Sequence, residues 1–399
     1  MYTRKTKDLH ILLGLFFFGT LLSAQSISGQ TVHVTGIEEL YAAVNDPGNA
    51  GATIALAPGI YRLTALDANN VPRPNGGRLD LQLNMSLVGV KGDRSAVIID
   101  AFELPPSSYT GSPGPHAAVR LGRGTNSVEW LTVRDARNGQ ANIDSGLIHP
   151  GTAFVRIAHV ASSGSTRGLN VLNFGPASSN ETIEAEIEDN YFFNNTFGLS
   201  EGVRVGNFQG AVNATVNARM VGNRSWGQQQ GRLIVNNRAI NSTVNVFSAG
   251  NRFFANGAGT IIVGGLSSNV TTANGNTINF EAHGDHFVDN TGPTIFDIGG
   301  LIVLGGENIS IPYGTNNNTV NVRLWGCRMG ENNTYDLLGI GARSEPESIG
   351  SPGANNRVTI EIHGEGSPTK GRWQPVEVFL DALPYAAEDN NSVTVVRRR

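Results

Sequence analysis

Two carboxylates, two imidazoles, a guanidinium and an indole recur in pairs in the C-terminal third of the chain. The pairs are Glu281 with His283, Arg323 with Trp325, and Glu361 with His363. One residue separates the members of each pair, so on an extended strand both point to the same face. Three such strands side by side would gather all six into one patch. The indole could then pack on a sugar ring while the charged groups hydrogen-bond its hydroxyls. His283 and His363 are the acid–base candidates, because an ordinary imidazole titrates near neutrality. Arg323 suits proton abstraction poorly, since flanking carboxylates stabilise its charged form. Glu281 and Glu361 would lie two strands apart, about 10 Å, near the upper edge of the carboxyl separation in inverting glycosidases. Arg323 would occupy the space that water and sugar need. Alternating Glu281, Arg323 and Glu361 is also ordinary cross-strand pairing on a solvated face. The patch is therefore expected to bind a glycan rather than to cleave one.

The run His283-Gly-Asp285-His286, with Asp289 beyond it, invites a metal reading. No full ligand set accompanies it, and Asp285 falls at a repeat position held elsewhere by Asn223 and Asn251. No cofactor is expected; calcium between coils stays open as an alternative.

Those pairs sit in a degenerate repeat. Asn213-Ala-Thr-Val-Asn-Ala-Arg-Met-Val-Gly-Asn223 and Asn241-Ser-Thr-Val-Asn-Val-Phe-Ser-Ala-Gly-Asn251 share one template with segments at 180, 275, 317, 355 and 390. Taking Ile183, Val216, Val244, Ile278, Val320, Val358 and Val393 as zero, positions 0, +2 and +4 are almost all apolar. That period of two predicts a half-buried strand. Position −3 is asparagine except at Gly275, and position +6 is glycine in Gly222, Gly250, Gly284, Gly326 and Gly364. Both residue types tolerate the positive φ of a turn. Asparagines also recur at +12, in Asn195, Asn256, Asn290 and Asn332. Position +9 is often large, as in Phe192, Phe253, Phe287 and Met329, and is expected to plug a corner of the core. A second strand follows, as in Leu233-Ile-Val235 and Ile261-Ile-Val263, so each coil feeds at least two parallel sheets. A strand recurring with its turns is one coil of a solenoid.

Residues 1–26 combine Arg4, Lys5 and Lys7 with a short apolar run from Ile11 to Leu22 and a small-residue stretch. This is the pattern of a secretory signal, too short to span a bilayer. Residues 27–399 are expected to form one domain, outside the cytoplasm, with no transmembrane anchor. Cys327 is the one cysteine, so no disulfide framework supports it. The chain has 29 Lys and Arg against 33 Asp and Glu, a net charge of −4, which argues against a nucleic-acid partner. A solenoid must cap its open core. Thr35-Gly-Ile-Glu38 matches a capping box, and Ile37, Leu40, Tyr41 and Val44 give one apolar face to a helix over about 36–45.

Leu40-Tyr-Ala-Ala-Val44, then Gly51-Ala-Thr-Ile-Ala-Leu-Ala-Pro-Gly-Ile-Tyr61, resembles the start of right-handed β-helix proteins of the pectin-lyase-like superfamily. Ser86-Leu-Val-Gly-Val90 and Ala96-Val-Ile-Ile-Asp100 look like their next coil. The resemblance implies an all-β, single-stranded right-handed parallel β-helix, and a place among lyases, hydrolases, adhesins and proteins without activity. The paired aspartates, Gly-His-Gly and Arg-x-Lys of polygalacturonase-type hydrolases do not appear in the mature chain. Lysine, a common lyase base, is reduced there to Lys91 and Lys370. The expected function is thus a secreted carbohydrate-binding protein or cell-surface scaffold without enzymatic activity. The alternative is a polysaccharide lyase or glycoside hydrolase with an atypical site on the exposed sheet face. Oligomeric state is left open.

Overall fold

The computed structural model describes residues 29–110, 116–146, 151–267, 272–292, 299–308, 314–330, 332–333, 336–344, 353–363, 377–379 and 390–398. The leader expected at residues 1–26 and Gly364 lie outside them. Among the described residues no helix is long and apolar enough to cross a membrane.

Strands of three sheets follow one another around each coil, and every strand pairs in parallel with its counterpart one coil away. The chain is a right-handed parallel β-helix. One coil runs Thr215–Val221, Arg224–Trp226 and Gln230–Asn237, contributing in turn to a 12-stranded, a 9-stranded and a 10-stranded sheet. The register stacks Ile183, Val216, Val244, Ile278, Val320 and Val358 in one column, all 1% exposed or less. The columns at +2 and +4 point inward with them.

The asparagine expectation holds at the backbone. Asn180, Asn213, Asn241, Asn317, Asn355 and Asn390 all have φ between 50° and 62°, and Gly275 has 67°. Buried amides also form ladders from coil to coil. Asn190 donates to Asn223 at 2.9 Å, Asn223 to Asn251 at 2.9 Å and Asn251 to Asp285 at 3.1 Å. Each buried amide meets a partner that water would otherwise have to supply, a gain of roughly 0.5–1.5 kcal/mol per bond. The +12 ladder ends one residue later than the sequence suggests. Asn290 donates to Asn333, while Asn332 has φ 70° and reaches out to Asp289.

Position +9 is not a corner. Phe192, Phe253 and Phe287 are the central, inward residues of strands in the 9-stranded sheet, and Met329 is the inward residue of a two-residue one. Its strands are only two to four residues long, so a period of two cannot declare itself. In the 10-stranded sheet the apolar runs are continuous. Leu233, Val235, Ile261, Val263, Ile302 and Leu304 form a second buried cluster separate from the interior. A strand apolar at consecutive positions is covered on both faces.

The cap is a helix, α1, at Ile37–Asn45, with Leu40, Tyr41, Ala43 and Val44 buried. The capping frame is shifted by one. Gly36 is the N-cap, and the Glu39 carboxylate accepts from the Thr35 N–H at 2.7 Å and its hydroxyl at 2.8 Å. Glu38 turns instead to Arg73, at 2.9 Å. Tyr41 pins the helix by donating to the Gly77 carbonyl at 2.5 Å.

Candidate functional site

The register brings all six sequence-selected residues together. Glu281 pairs with Arg323 and Arg323 with Glu361, while His283 pairs with Trp325 and Trp325 with His363. Side-chain geometry then decides what the patch can do. His283 and Trp325 stack at 5.9 Å and 4°, and Trp325 and His363 at 3.7 Å and 13°. An imidazole thus flanks the indole on each side, closely at His363 and with an offset at His283, which narrows the face open to a sugar; Trp325 remains 39% exposed. The carboxylates are engaged as well. His283 lies 2.7 Å from Glu281, His363 3.1 Å from Glu361, and Arg398 donates to Glu361 at 3.1 Å. Burial would raise the Glu361 carboxyl, but Arg398, His363 and Arg323 together hold it below its ordinary value. Arg323 sits 3.7 Å from Glu361 rather than on Glu281.

The proposed metal run is dispersed by the coil. Asp285 is fully buried and faces the core, with Arg232 at 3.4 Å, while His283 and His286 lie on different sheets. Among the described residues no three His, Cys, Asp or Glu side chains are grouped to hold a metal ion.

A concave site appears elsewhere, over the outer face of the 10-stranded sheet. A cavity of about 310 Å³ is lined by Phe174, Phe208, Gln209, Asn237 and Arg238, with Arg167 and Arg204 on one side. One outward column of this sheet runs Asp80, Arg120, Asp144, Asn170, Arg204, Leu233, by register. It changes from charged to apolar at the cavity. Arg204 forks onto Glu201, which is 1% exposed and also faces Arg167 at 3.3 Å. Burial lowers the Arg204 guanidinium's affinity for its proton, and Glu201 opposes that. Asp144 is completely enclosed. Burial pushes its carboxyl up to about 6, against hydrogen bonds from the Asn170 amide at 2.8 Å and the Gly146 N–H.

Arg238 and Asn237 lie at the other end of the lining. The Arg238 Nε and the Asn237 Oδ1 are buried, and among the described residues neither has a hydrogen-bond partner. A donor and an acceptor thus lie unpaired beneath the cavity lining. The neighbouring Phe208 is 4% exposed and Arg204 lies over its ring at 5.1 Å. The lining is mainly polar, with Phe174 and Phe208 among arginines and amides, which suits a small polar ligand.

Sequence reasoning missed this cavity. What the sequence does show of this sheet is a glycine at the strand entrance, in Gly168, Gly202, Gly231, Gly259 and Gly300. At Gly231, for example, a Cβ would meet the Gly259 carbonyl at 2.5 Å and Phe253 at 2.9 Å. That column marks where the 10-stranded sheet begins.

No family model and no curated protein matches the chain. Among solved structures it is similar to one described as "Crystal structure of pectate lyase Pel9A", with 14% identity, 81% of each chain covered and a TM-score of 0.36. Likeness at that level carries no argument about this chain.

Proposed function

We propose that this β-helix is a secreted glycan-binding protein and that its ligand is a sugar bearing a carboxylate, held in the cavity over the 10-stranded sheet. The observation that carries the reading is the unpaired Arg238 Nε, buried beneath the cavity lining beside the equally unpaired Asn237 oxygen, both reached once the Arg238 side chain turns outward. A buried donor left unmade costs about 1–3 kcal/mol, which an arriving oxygen recovers. A carboxylate matches the guanidinium in charge and in its forked geometry. The half-buried Phe174 supplies apolar surface for a ring, and the Asn237 oxygen accepts from a hydroxyl.

Binding is favoured over cleavage because the one carboxyl here with a strongly raised pKa, Asp144, is enclosed and already hydrogen-bonded. It cannot touch a substrate proton. The lyase or hydrolase alternative would reveal itself as unsaturated product or new reducing ends from uronic-acid or neutral glycans. Turnover lost in His283→Ala or His363→Ala would establish that alternative.

The test is calorimetric titration of a uronic-acid trisaccharide into the full chain. Arg238 has φ 55°, a conformation asparagine adopts readily, so Arg238→Asn removes the guanidinium without straining the backbone. This variant should bind at least about tenfold more weakly, the loss of one charge-assisted hydrogen bond. Trp325→Ala should bind as wild type does. Equal binding by Arg238→Asn and wild type, or loss in Trp325→Ala, would move the site to the predicted patch.

A further inference from the structure

The outer face of the 9-stranded sheet carries two columns that the cavity does not use. Its three-residue strands bury Phe192, Ser225, Phe253 and Phe287 and turn the flanking residues outward. The register therefore stacks Arg224 on Arg252, Arg252 on His286, and His286 on Arg328. Neighbouring strands lie about 4.8 Å apart. Beside this column runs another, Phe193, Trp226, Phe254 and Val288.

Like charges set opposite one another on adjacent strands are unfavourable, and little nearby neutralises these. Arg224, Arg252 and Arg328 are exposed. Arg224 lies 5.3 Å over Tyr191 and Arg252 5.9 Å over Phe254; among the described residues none of the three arginines is in a salt bridge. The corner residues beside the column are Gly222-Asn223, Gly250-Asn251, Gly284-Asp285 and Gly326-Cys327, and Asp285 faces inward. On the far rim Asp289 accepts a hydrogen bond from Asn332. Burial, and then Arg328 and Arg252 on either side, push the His286 imidazole below its ordinary value.

We propose that this face binds an extended anionic polysaccharide, laid along the solenoid axis with successive carboxylates or sulfates on Arg224, Arg252 and Arg328. The aromatic column selects this polymer over a nucleic acid. Trp226 lies between Phe193, at 4.8 Å and 8°, and Phe254, at 5.3 Å and 12°. Both faces of the indole are taken, so no platform is left for a base, which single-stranded nucleic acid requires. Ring edges carry the positive part of the aromatic quadrupole, so edges and guanidinium groups attract the same anionic oxygens.

The experiment titrates long polygalacturonate, neutral dextran and single-stranded DNA of matched length into the full chain at low and physiological salt. The comparison variant is Arg224→Gln/Arg252→Gln/Arg328→Gln, whose side chains are exposed; circular dichroism checks that it folds. Polygalacturonate should bind wild type, more weakly as salt screens the charges. The triple variant should lose at least about tenfold of that affinity yet bind the trisaccharide of the cavity test unchanged. Arg238→Asn should still lose polymer affinity in the triple background, so the two sites fail separately. Absence of polygalacturonate binding by wild type, equal binding by the triple variant, or DNA bound as tightly would overturn the proposal.

Discussion

Asp144 is held above the ordinary carboxyl range by enclosure, at about 6. The group is an acid whose folded value is raised, so the native state holds its proton more tightly than the unfolded chain does. Its contribution to stability is present below the unfolded value near 4 and is lost as pH rises through about 6. Asp144→Asn should therefore leave stability at pH 3 near that of wild type and raise it at pH 8, by an amount on the order of 3 kcal/mol. Denaturant melts at the two pH values measure this, and a variant destabilised at pH 8 would contradict it. A second buried charge is met directly. Arg232 and Asp285 are both fully buried, 3.4 Å apart, and Ser248 bridges them by donating to Asp285 and accepting from Arg232. Asp285→Asn keeps the acceptor that Asn251 uses but strands the guanidinium. The expected loss is about 3–5 kcal/mol, most of it regained in Arg232→Met/Asp285→Asn. Equal destabilisation in both variants would contradict that assignment. The sequence placed Asp285 correctly in the asparagine file, yet it could not show Arg232 reaching it from another sheet. Nor could it show that Trp325 lies between two imidazoles, because ring rotation is set by neighbours one coil away.

The elements were legible in proportion to their length. The 12-stranded sheet has strands of up to seven residues, long enough for three inward columns to appear, and its turns carry asparagines with positive φ. The 9-stranded sheet exposes a single inward residue per strand, so its phenylalanines looked like corner plugs. They are the packing core of that wall. Phe253 and Phe287 stack at 5.3 Å and are 2% exposed or less. Phe287→Ala should cost about 3–5 kcal/mol, read as a shift of the denaturation midpoint, whereas an outward change such as Arg252→Gln should cost little. The capping helix was placed rightly, but its frame slipped by one because both Glu38 and Glu39 fit the pattern, and only Arg73, 35 residues away, claims Glu38.

At the scale of the molecule, the three walls present three different faces. The 12-stranded wall shows charge pairs and stacked imidazoles that are already satisfied among themselves. The 9-stranded wall shows unpaired arginines, and the 10-stranded wall holds the cavity. The sequence could foresee the solenoid because repetition is visible in one dimension. It could not foresee the cavity, whose walls come from Phe174, Phe208, Asn237 and Arg238 in different coils and whose depth depends on how the connecting turns fold over the sheet. The central functional claim is that this cavity, and not the Trp325 patch, receives a carboxylated sugar. A crystal structure soaked with a uronic-acid trisaccharide tests it most directly. The account predicts a sugar ring against Phe174 with its carboxylate within hydrogen-bond distance of the Arg238 guanidinium. An empty cavity with the sugar seated on Glu281, His283 and Trp325 would contradict it.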